Sequence, residues 1–199
     1  MLGAFEADGP EGLLDLGGPK RRALVALLVL RAGRASSVES IVDALWGPAS
    51  PSGAPGTVRT YVSQLRKQLG AAAGRPPFAT ASGGYELVVA DDIDAVEFEQ
   101  LVMAGVDEPD LTDRVEALDH ALELWRGDPL PEFAGAGWVE QPTNHWRRLH
   151  RMAQEGRTDA LLALGRHREV LPLLERLVVD EPLHERYWAQ LVVARHGAG

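Results

Sequence analysis

The segment APGTVRTYVSQLRKQLG, residues 54–70, carries three cationic side chains and no carboxylate. Its other polar groups are hydroxyls and amides, which exchange hydrogen bonds with base edges, while guanidinium and ammonium groups hold phosphate oxygens. The chemistry that these side chains offer is therefore the recognition of an acidic, hydrogen-bonding ligand.

The same segment has the periodicity of an amphipathic helix. One narrow stripe, which we expect to face a core, consists of Val58, Val62, Leu65 and Leu69. The roughly opposite face consists of Thr60, Ser63, Gln64 and Lys67. Because an α-helix fits the major groove of DNA, this polar face predicts base and phosphate contacts. The alternative is a surface helix with a solvated basic face.

Two further helices are predicted before this segment. PKRRALVALLVLRAG has proline at a suitable first helical position and predicts a helix over residues 19–32, with Gly33 as its stop. SSVESIVDALWG opens with a capping-box pattern at Ser36 or Ser37 and predicts a second helix that stops at Gly47. The loop PASPSG separates this helix from residues 54–70, the third helix.

Short β segments are predicted on both sides of these helices: a small β-hairpin or sheet edge before them and a tight hairpin after them. Residues 6–15 form short alternating runs about the turn DGPEG, and FATA and YELVV flank SGG, the composition of a tight β-turn. Three helices followed by a glycine-turn hairpin predict a winged helix-turn-helix that begins with a small sheet. The tip of the wing, with Ser82 and Gly83, is then placed to approach the sugar-phosphate backbone. The alternative is an ordinary hairpin.

The sequence GGPKRR places a second group of cations at the start of the first helix. It lacks the Gly-x-x-x-x-Gly-Lys-Ser/Thr spacing of a phosphate loop, so nucleotide binding is not predicted. Lys20, Arg21 and Arg22 are instead candidates to grip a DNA phosphate at a helix N-terminus. Solvated charges at a helix start are the alternative.

Charge is distributed unevenly along the 199 residues, whose formal net charge is −9. Residues 1–90 hold nine basic and seven acidic residues, whereas residues 91–199 hold 11 basic and 22 acidic residues. The first part is therefore net positive by 2 and the second net negative by 11. This division favours two modules, of which only the first suits a polyanion.

After residue 91 every segment is predicted to be helical, with apolar residues three or four apart and Gly or Pro between the helices. The boundaries near residues 164–182 are typical of tetratricopeptide-type helical hairpins. The tryptophans of this part are interpreted as core anchors between helical pairs, with an aromatic ligand groove as the alternative; they are Trp125, Trp138, Trp146 and Trp188.

The sequence predicts no enzymatic activity, no metal site and no cofactor. It contains no cysteine, no His-Glu-x-x-His pattern and no Gly-x-Ser-x-Gly nucleophile elbow, and its six histidines are scattered over several helices without a metal-ligand spacing. No segment approaches the roughly 20 apolar residues that a membrane span needs, so no membrane association is predicted. We expect a cytoplasmic protein.

The residues LGGPKRRALVALLVLRAGRASSVESIVDALWG, APGTVRTYVSQLRKQLG and SGGYELVV closely resemble the OmpR-type winged-helix domain of Streptomyces antibiotic regulatory proteins and AfsR-like regulators. The segments DAVEFEQLV, RVEALDHALELWRGDPLPEF and WVEQPTNHWRRLHRMAQE resemble the bacterial transcriptional activation domain of the same family. The resemblance implies a mainly α fold with small β-sheets. It places the winged-helix domain in residues 1–90 and the tetratricopeptide-like domain in residues 91–199.

This resemblance implies a sequence-specific transcriptional activator without enzymatic activity. Family members bind direct-repeat promoter DNA as head-to-tail homodimers, contact RNA polymerase holoenzyme, and regulate secondary-metabolite genes such as those of antibiotic biosynthesis. We therefore expect a cytoplasmic, nucleoid-associated protein. The alternative function is a protein-interaction scaffold that uses the tetratricopeptide-like helices. The first strand is shorter than is usual in the family and the last helical pair ends early, so we expect a fragment of a longer regulator, truncated at the C-terminus.

By motif match, the resemblance carries the recognition positions onto residues 57–67 of the third helix. Together with the start of the first helix and the wing, the DNA-binding residues predicted are Lys20, Arg21, Thr57, Arg59, Thr60, Tyr61, Ser63, Gln64, Arg66, Lys67, Ser82, Gly83 and Tyr85.

Overall fold

The computed structural model describes residues 1–73, 77–81, 83–88 and 93–199. The chain divides into two compact units. The first unit comprises Met1–Ile93 and Gly127–Asn144, and the second comprises Asp94–Arg126 and His145–Gly199. The segment Gly127–Asn144 therefore packs with the N-terminal part of the chain, although it lies far beyond residue 90 in sequence.

Among its described residues, the first unit contains three complete helices, two small sheets and two short 3-10 turns. In chain order these are β1 (Asp8–Gly9), β2 (Gly12–Leu13), α1 (Pro19–Leu30), β3 (Ser36–Ser37), α2 (Val38–Trp46), a 3-10 turn (Gly47–Ala49), α3 (Ala54–Ala73), β4 (Phe78–Ala81), β5 (Gly84–Leu87) and a second 3-10 turn (Pro131–Phe133). The first residues of α6 (Gly137–Ala163) also belong to this unit.

Local sequence explains where the first two helices begin and end. Pro19 occupies the first turn of α1, where a missing backbone N–H costs nothing. α1 ends at Leu30, two residues before the predicted end. The hydroxyl of Ser37 caps α2 by accepting a hydrogen bond from the backbone N–H of Ser40 at 3.1 Å. α2 ends at Trp46, and the residue that caps it is Gly47, whose φ of 58° suits glycine.

The wing is the antiparallel hairpin β4–β5, and β3 pairs with the outer side of β5. Thr80 lies opposite Tyr85, and Ser36 lies opposite Tyr85 on the other side. Backbones approach closely here, because a Cβ added to Gly84 would lie 1.8 Å from the carbonyl oxygen of Ser36. Glycine at this position is therefore what allows β3 to join the sheet.

The second unit consists of helices, namely α4 (Asp94–Asp107), α5 (Leu111–Glu123), the remainder of α6, α7 (His167–Asp180) and α8 (Glu185–Ala198). α4 packs on α5, and α7 packs on α8. A core of mostly aliphatic side chains, including Leu161, Leu174 and Leu191, joins α5, α6, α7 and α8. The predicted fold class, mainly α with a winged helix and a tetratricopeptide-like part, is confirmed.

The interpretation of the tryptophans as core anchors is correct for Trp146, which is buried, and wrong for Trp188. The indole of Trp188 is 47% exposed, and its N–H donates to the carbonyl oxygen of Pro182 at 2.9 Å. Its neighbour Tyr187 takes the core side of α8 instead. Periodicity could not decide between these adjacent aromatic residues. None of the described helices is long and apolar enough to cross a membrane.

Candidate nucleic-acid interface

α3 is held in the first unit by the apolar stripe predicted from its sequence. Val58, Val62 and Leu65 are buried, with at most 1% of each side chain exposed, and Leu69 is half-buried. Because these residues recur every three or four positions, they fix which side of the helix faces away from the core.

The face of α3 turned away from the core carries five exposed polar residues, which are Arg59, Thr60, Ser63, Gln64 and Lys67. Thr60 and Lys67 are about 10 Å apart along the helix axis, a length of about three base-pair steps. In the part of the chain that the structure describes, neither Arg59 nor Lys67 forms an ion pair, so both cations remain available to an anionic ligand.

Two threonines on α3 bond to its own backbone. The hydroxyl of Thr57 donates to the carbonyl oxygen of Gly53 at 3.2 Å, and that of Thr60 donates to Gly56 at 3.1 Å. These bonds use the single hydroxyl proton and leave oxygen lone pairs, so each threonine can still accept a hydrogen bond. Tyr61 is half-buried on the flank of the helix.

Arg66 joins α3 to the wing. Its guanidinium donates to the carbonyl oxygen of Phe78 at 3.0 Å and to the hydroxyl of Thr80 at 2.8 Å. It also lies over the ring of Tyr85, 5.5 Å from the ring centroid. These contacts position the hairpin beside the exposed face of α3. Thr80 is a participant that the sequence did not reveal, because only the folded chain brings residue 80 to residue 66.

Gly83 is the described residue at the tip of the wing. It is exposed, and its φ of 76° matches the left-handed backbone that glycine adopts in tight turns. A glycine tip has no side chain and lets its backbone come close to a phosphate. Ser82, the other predicted residue of the tip, lies outside the described residues.

The cations at the start of α1 bond within the first unit. Arg21 donates to the side-chain oxygen of Gln68 at 2.7 Å, and Gln68 donates in turn to the carbonyl oxygen of Asp15. The Lys20 ammonium donates to the carbonyl oxygen of Leu45 and lies 5.5 Å from the ring centroid of Trp46. Both side chains thus have structural partners, and their contact with DNA stays a prediction.

The sequence did not reveal that the segment Gly127–Asn144 contributes to this unit. The backbone N–H of Leu130 donates to the carbonyl oxygen of Gly3 at 3.0 Å, and the ring of Phe133 meets Phe5 with 6.0 Å between centroids. Glu132 pairs with Arg22 at 2.9 Å. Residues 127–137 are rich in Gly and Pro, so the local sequence did not indicate where Leu130 and Phe133 would pack.

The arrangement provides contacts for recognition. Within the described ranges no group of three or more histidine, aspartate or glutamate side chains is placed to hold a metal ion. Arg66 tethers the wing to α3. The exposed face of this helix therefore presents hydrogen-bonding and cationic groups beside the tip of a short hairpin.

Comparisons with known proteins assign this arrangement to a class. Residues 15–87 match the family described as transcriptional regulatory protein, C-terminal, and residues 93–199 match the bacterial transcriptional activator domain. The molecule is thus a winged helix combined with an activator domain, a combination that belongs to transcriptional regulators rather than enzymes.

Related proteins extend the match over the whole chain. The regulatory protein AfsR of Streptomyces griseus is 35% identical over all of this chain and 20% of its own length. The regulatory protein DnrI of Streptomyces peucetius is 32% identical over 90% of this chain and 70% of its own length. The chain belongs to the Streptomyces antibiotic regulatory protein family of AfsR-like transcriptional regulators.

A solved structure has the same fold. Mycobacterium tuberculosis EmbR, in complex with a low-affinity phosphopeptide, superimposes with a TM-score of 0.92 and 31% identity. The match covers all of this chain and 54% of the EmbR chain. This chain therefore spans about half of the EmbR chain and one fifth of AfsR.

Proposed function

We propose that this chain binds double-stranded promoter DNA with α3 in the major groove and activates transcription. The observation that carries the proposal is the exposed face of α3, where cations that form no ion pair with any described residue stand beside hydroxyl and amide groups. The buried stripe opposite fixes the orientation of this face, and Arg66 holds the wing next to it. Membership of a family of transcriptional regulators supports the proposal.

We assign separate roles to the side chains of α3. The amide of Gln64 both donates and accepts hydrogen bonds, as an adenine edge requires, so Gln64 reads a base. Lys67 and Arg59 hold phosphates, while Thr57, Thr60, Tyr61 and Ser63 supply hydroxyl contacts. Ser82 and Gly83 approach the sugar-phosphate backbone, and Tyr85 supports them through Arg66. Lys20 and Arg21 contribute only donors left over from their intramolecular bonds.

The assembly on DNA is a head-to-tail homodimer on direct repeats, as the family resemblance implies. In this arrangement residues 1–90 bind DNA and residues 91–199 serve activation. The regulated genes belong to secondary metabolism, and the protein acts in the cytoplasm at the nucleoid. Two copies in the same orientation require two half-sites in the same orientation, unlike the palindrome of a two-fold dimer.

A DNA-binding titration separates base reading from phosphate contact. Gln64→Ala should weaken binding to the correct site by roughly 1–3 kcal/mol and relax preference at one base position. Lys67→Ala should weaken binding to all sequences about equally and reduce the slope of log affinity against log salt by about 1. The probes are fragments of the upstream region of the gene itself, with direct repeats or with one repeat inverted.

Arg176→Ala, which removes one exposed cation from α7, is the matched control and should leave the salt slope unchanged. Inverting one repeat should abolish cooperative binding. If Gln64→Ala and Lys67→Ala both bind like the unsubstituted chain, α3 is a solvated surface helix and the scaffold function is favoured instead.

We further propose that the acidic helical part meets basic segments of RNA polymerase. Residues 91–199 carry a net charge of −11, which disfavours contact with phosphates and suits a basic partner. Glu97, Glu116 and Glu123 are exposed on α4 and α5 and form no ion pair with any residue the structure describes. Replacing these three glutamates by glutamine should lower transcript yield in a reconstituted reaction while leaving promoter affinity intact. Unchanged transcript would refute this contact.

A further inference from the structure

A pocket of about 500 Å³ opens in the first unit, and none of its described lining residues lies on α3. Its walls come from the start of α1, the second half of α2, the 3-10 turn Pro131–Phe133 and the first residues of α6. All four parts belong to one compact unit. The volume lies within the range of about 300–1,000 Å³ that is usual for small-molecule sites.

The pocket is lined mainly by apolar residues, and it is open because several of these residues are small. Ala23, Ala44, Ala134 and Ala136 contribute only methyl groups, so the space that larger side chains would fill remains empty. Two aromatic rings, Phe133 and Trp138, form one side with 5.4 Å between their centroids. A flat apolar body would remove both rings and several methyl groups from water on entering.

The charges around this pocket leave one cation without a counter-ion. Arg22 is neutralised by Glu132, with nitrogen to oxygen distances of 2.9 and 3.0 Å for the two parallel hydrogen bonds. Lys20 also lines the pocket, and its only bonded acceptor in the described chain is the carbonyl oxygen of Leu45. An ammonium has three donors, so Lys20 can bond further acceptors. The lining therefore carries one uncompensated positive charge.

We propose that this pocket binds a small aromatic or fused-ring molecule with a single anionic group. The ring system packs against Phe133 and Trp138 over the alanine methyls, and the anionic group pairs with Lys20. The ligand contacts α1, α2 and the segment Gly127–Asn144 together. Binding therefore favours the folded first unit and raises its unfolding temperature.

The test uses two dyes of nearly identical shape with the 199-residue chain. The first, 8-anilinonaphthalene-1-sulfonate, carries one negative charge, and the second, N-phenyl-1-naphthylamine, is neutral. Trp188→Gln and Val192→Ser are introduced throughout, because these exposed residues of α8 would attract apolar dyes. We expect one site per chain by fluorescence titration, with the anionic dye about tenfold tighter than the neutral one.

Substitutions separate the contribution of charge from that of the cavity. Lys20→Met should weaken the anionic dye about tenfold and leave the neutral dye unchanged, and Lys20→Arg should restore anion preference. Ala134→Phe should abolish binding of both dyes by filling the pocket from its exposed rim. Ala136→Leu narrows the same space and serves as a second variant. Ala104→Phe on the exposed side of α4 is the size-matched control.

The outcomes are distinct. Loss of dye binding and of the dye-induced rise in unfolding temperature in Ala134→Phe or Ala136→Leu, but not in Ala104→Phe, supports the site. Folded Ala134→Phe and Ala136→Leu variants that bind the anionic dye as before overturn it. Equal weakening of both dyes by Lys20→Met overturns the assignment of the anionic group.

Discussion

The pKa of the His150 imidazole depends strongly on the place of this residue in the fold. Its imidazole stacks on the indole of Trp125 with 4.2 Å between ring centroids, and burial lowers its pKa from 6.5 to about 4. Between about pH 6.5 and pH 4, the His150 imidazole is protonated in the unfolded chain and neutral in the folded chain. The free energy of unfolding should therefore fall as the pH decreases from 6.5 to about 4, by about 3 kcal/mol in total.

Urea unfolding at several pH values measures this contribution. His150→Gln should remove that part of the pH dependence, because glutamine does not titrate. His120→Gln, at an exposed position of α5, is the control and should retain the slope of the unsubstituted chain. If His150→Gln and the unsubstituted chain lose the same stability between pH 6.5 and 4, His150 is not held neutral in the folded state.

The core residues of α3 could be predicted from the sequence, whereas the partners of its flanks could not. Helical periodicity alone places Val58, Val62 and Leu65 on the buried side. Arg66 lies on the same helix, but its bonds to Phe78 and Thr80 depend on where the hairpin packs. The bond between Arg21 and Gln68 spans 47 residues and left no local pattern.

The pairing of β3 with β5 depends on the absence of a side chain at Gly84. Gly84→Ala should destabilise the first unit by about 2 kcal/mol, because the new methyl group collides with the backbone of Ser36 rather than with a flexible side chain. Gly56→Ala is the matched change inside α3, where an added Cβ meets open space, and helix propensity should make it neutral or stabilising by up to about 1 kcal/mol.

Thermal unfolding of the two variants, followed by circular dichroism, distinguishes these effects. The same change from glycine to alanine is expected to lower the unfolding temperature at position 84 and to leave it unchanged or raise it at position 56. Equal stability of Gly84→Ala and the unsubstituted chain would show that β3 does not pair closely with β5.

The order and type of the main elements were accessible from sequence because each carries its own local signal. α2 has a capping serine and a terminal glycine, and the strands β4 and β5 surround a glycine turn. The 3-10 turn Pro131–Phe133 has no such signal, since its conformation depends on packing against residues that are distant in sequence. Leu130, just before it, adopts a left-handed φ of 50°, which no leucine propensity predicts.

The first unit includes residues that precede α4 and residues that follow α5 in the sequence. Phe133 packs beside Phe5, so Phe133→Ala should cost about 3 kcal/mol and reduce hydrogen-exchange protection in α1 and the N-terminal residues. Phe98→Ala is the matched substitution in the second unit, where Phe98 is fully buried beside Trp125. It should reduce protection in α4 and α5 instead.

The same exchange pattern in both variants would mean that the chain does not open as two separate units.

Because Gly127–Asn144 belongs to the first unit, a fragment that ends at residue 90 lacks Leu130, Glu132 and Phe133. Its N-terminal residues would lose the backbone and aromatic contacts that cover them. DNA binding by residues 1–90 in isolation therefore depends on how well the three helices hold together without this cover.

The contacts between Phe5 and Phe133 also have a consequence during synthesis of the chain. A ribosome adds roughly 5–20 residues per second, so residues 94–133 take about 2–8 s to follow the wing. Throughout that interval Phe5, which is buried in the finished protein, has no Phe133 to pack against. The winged helix is therefore synthesised with an exposed apolar surface at its N-terminus. Until the segment that contains Phe133 has been made, this surface of the nascent chain can bind chaperones or other copies of the chain.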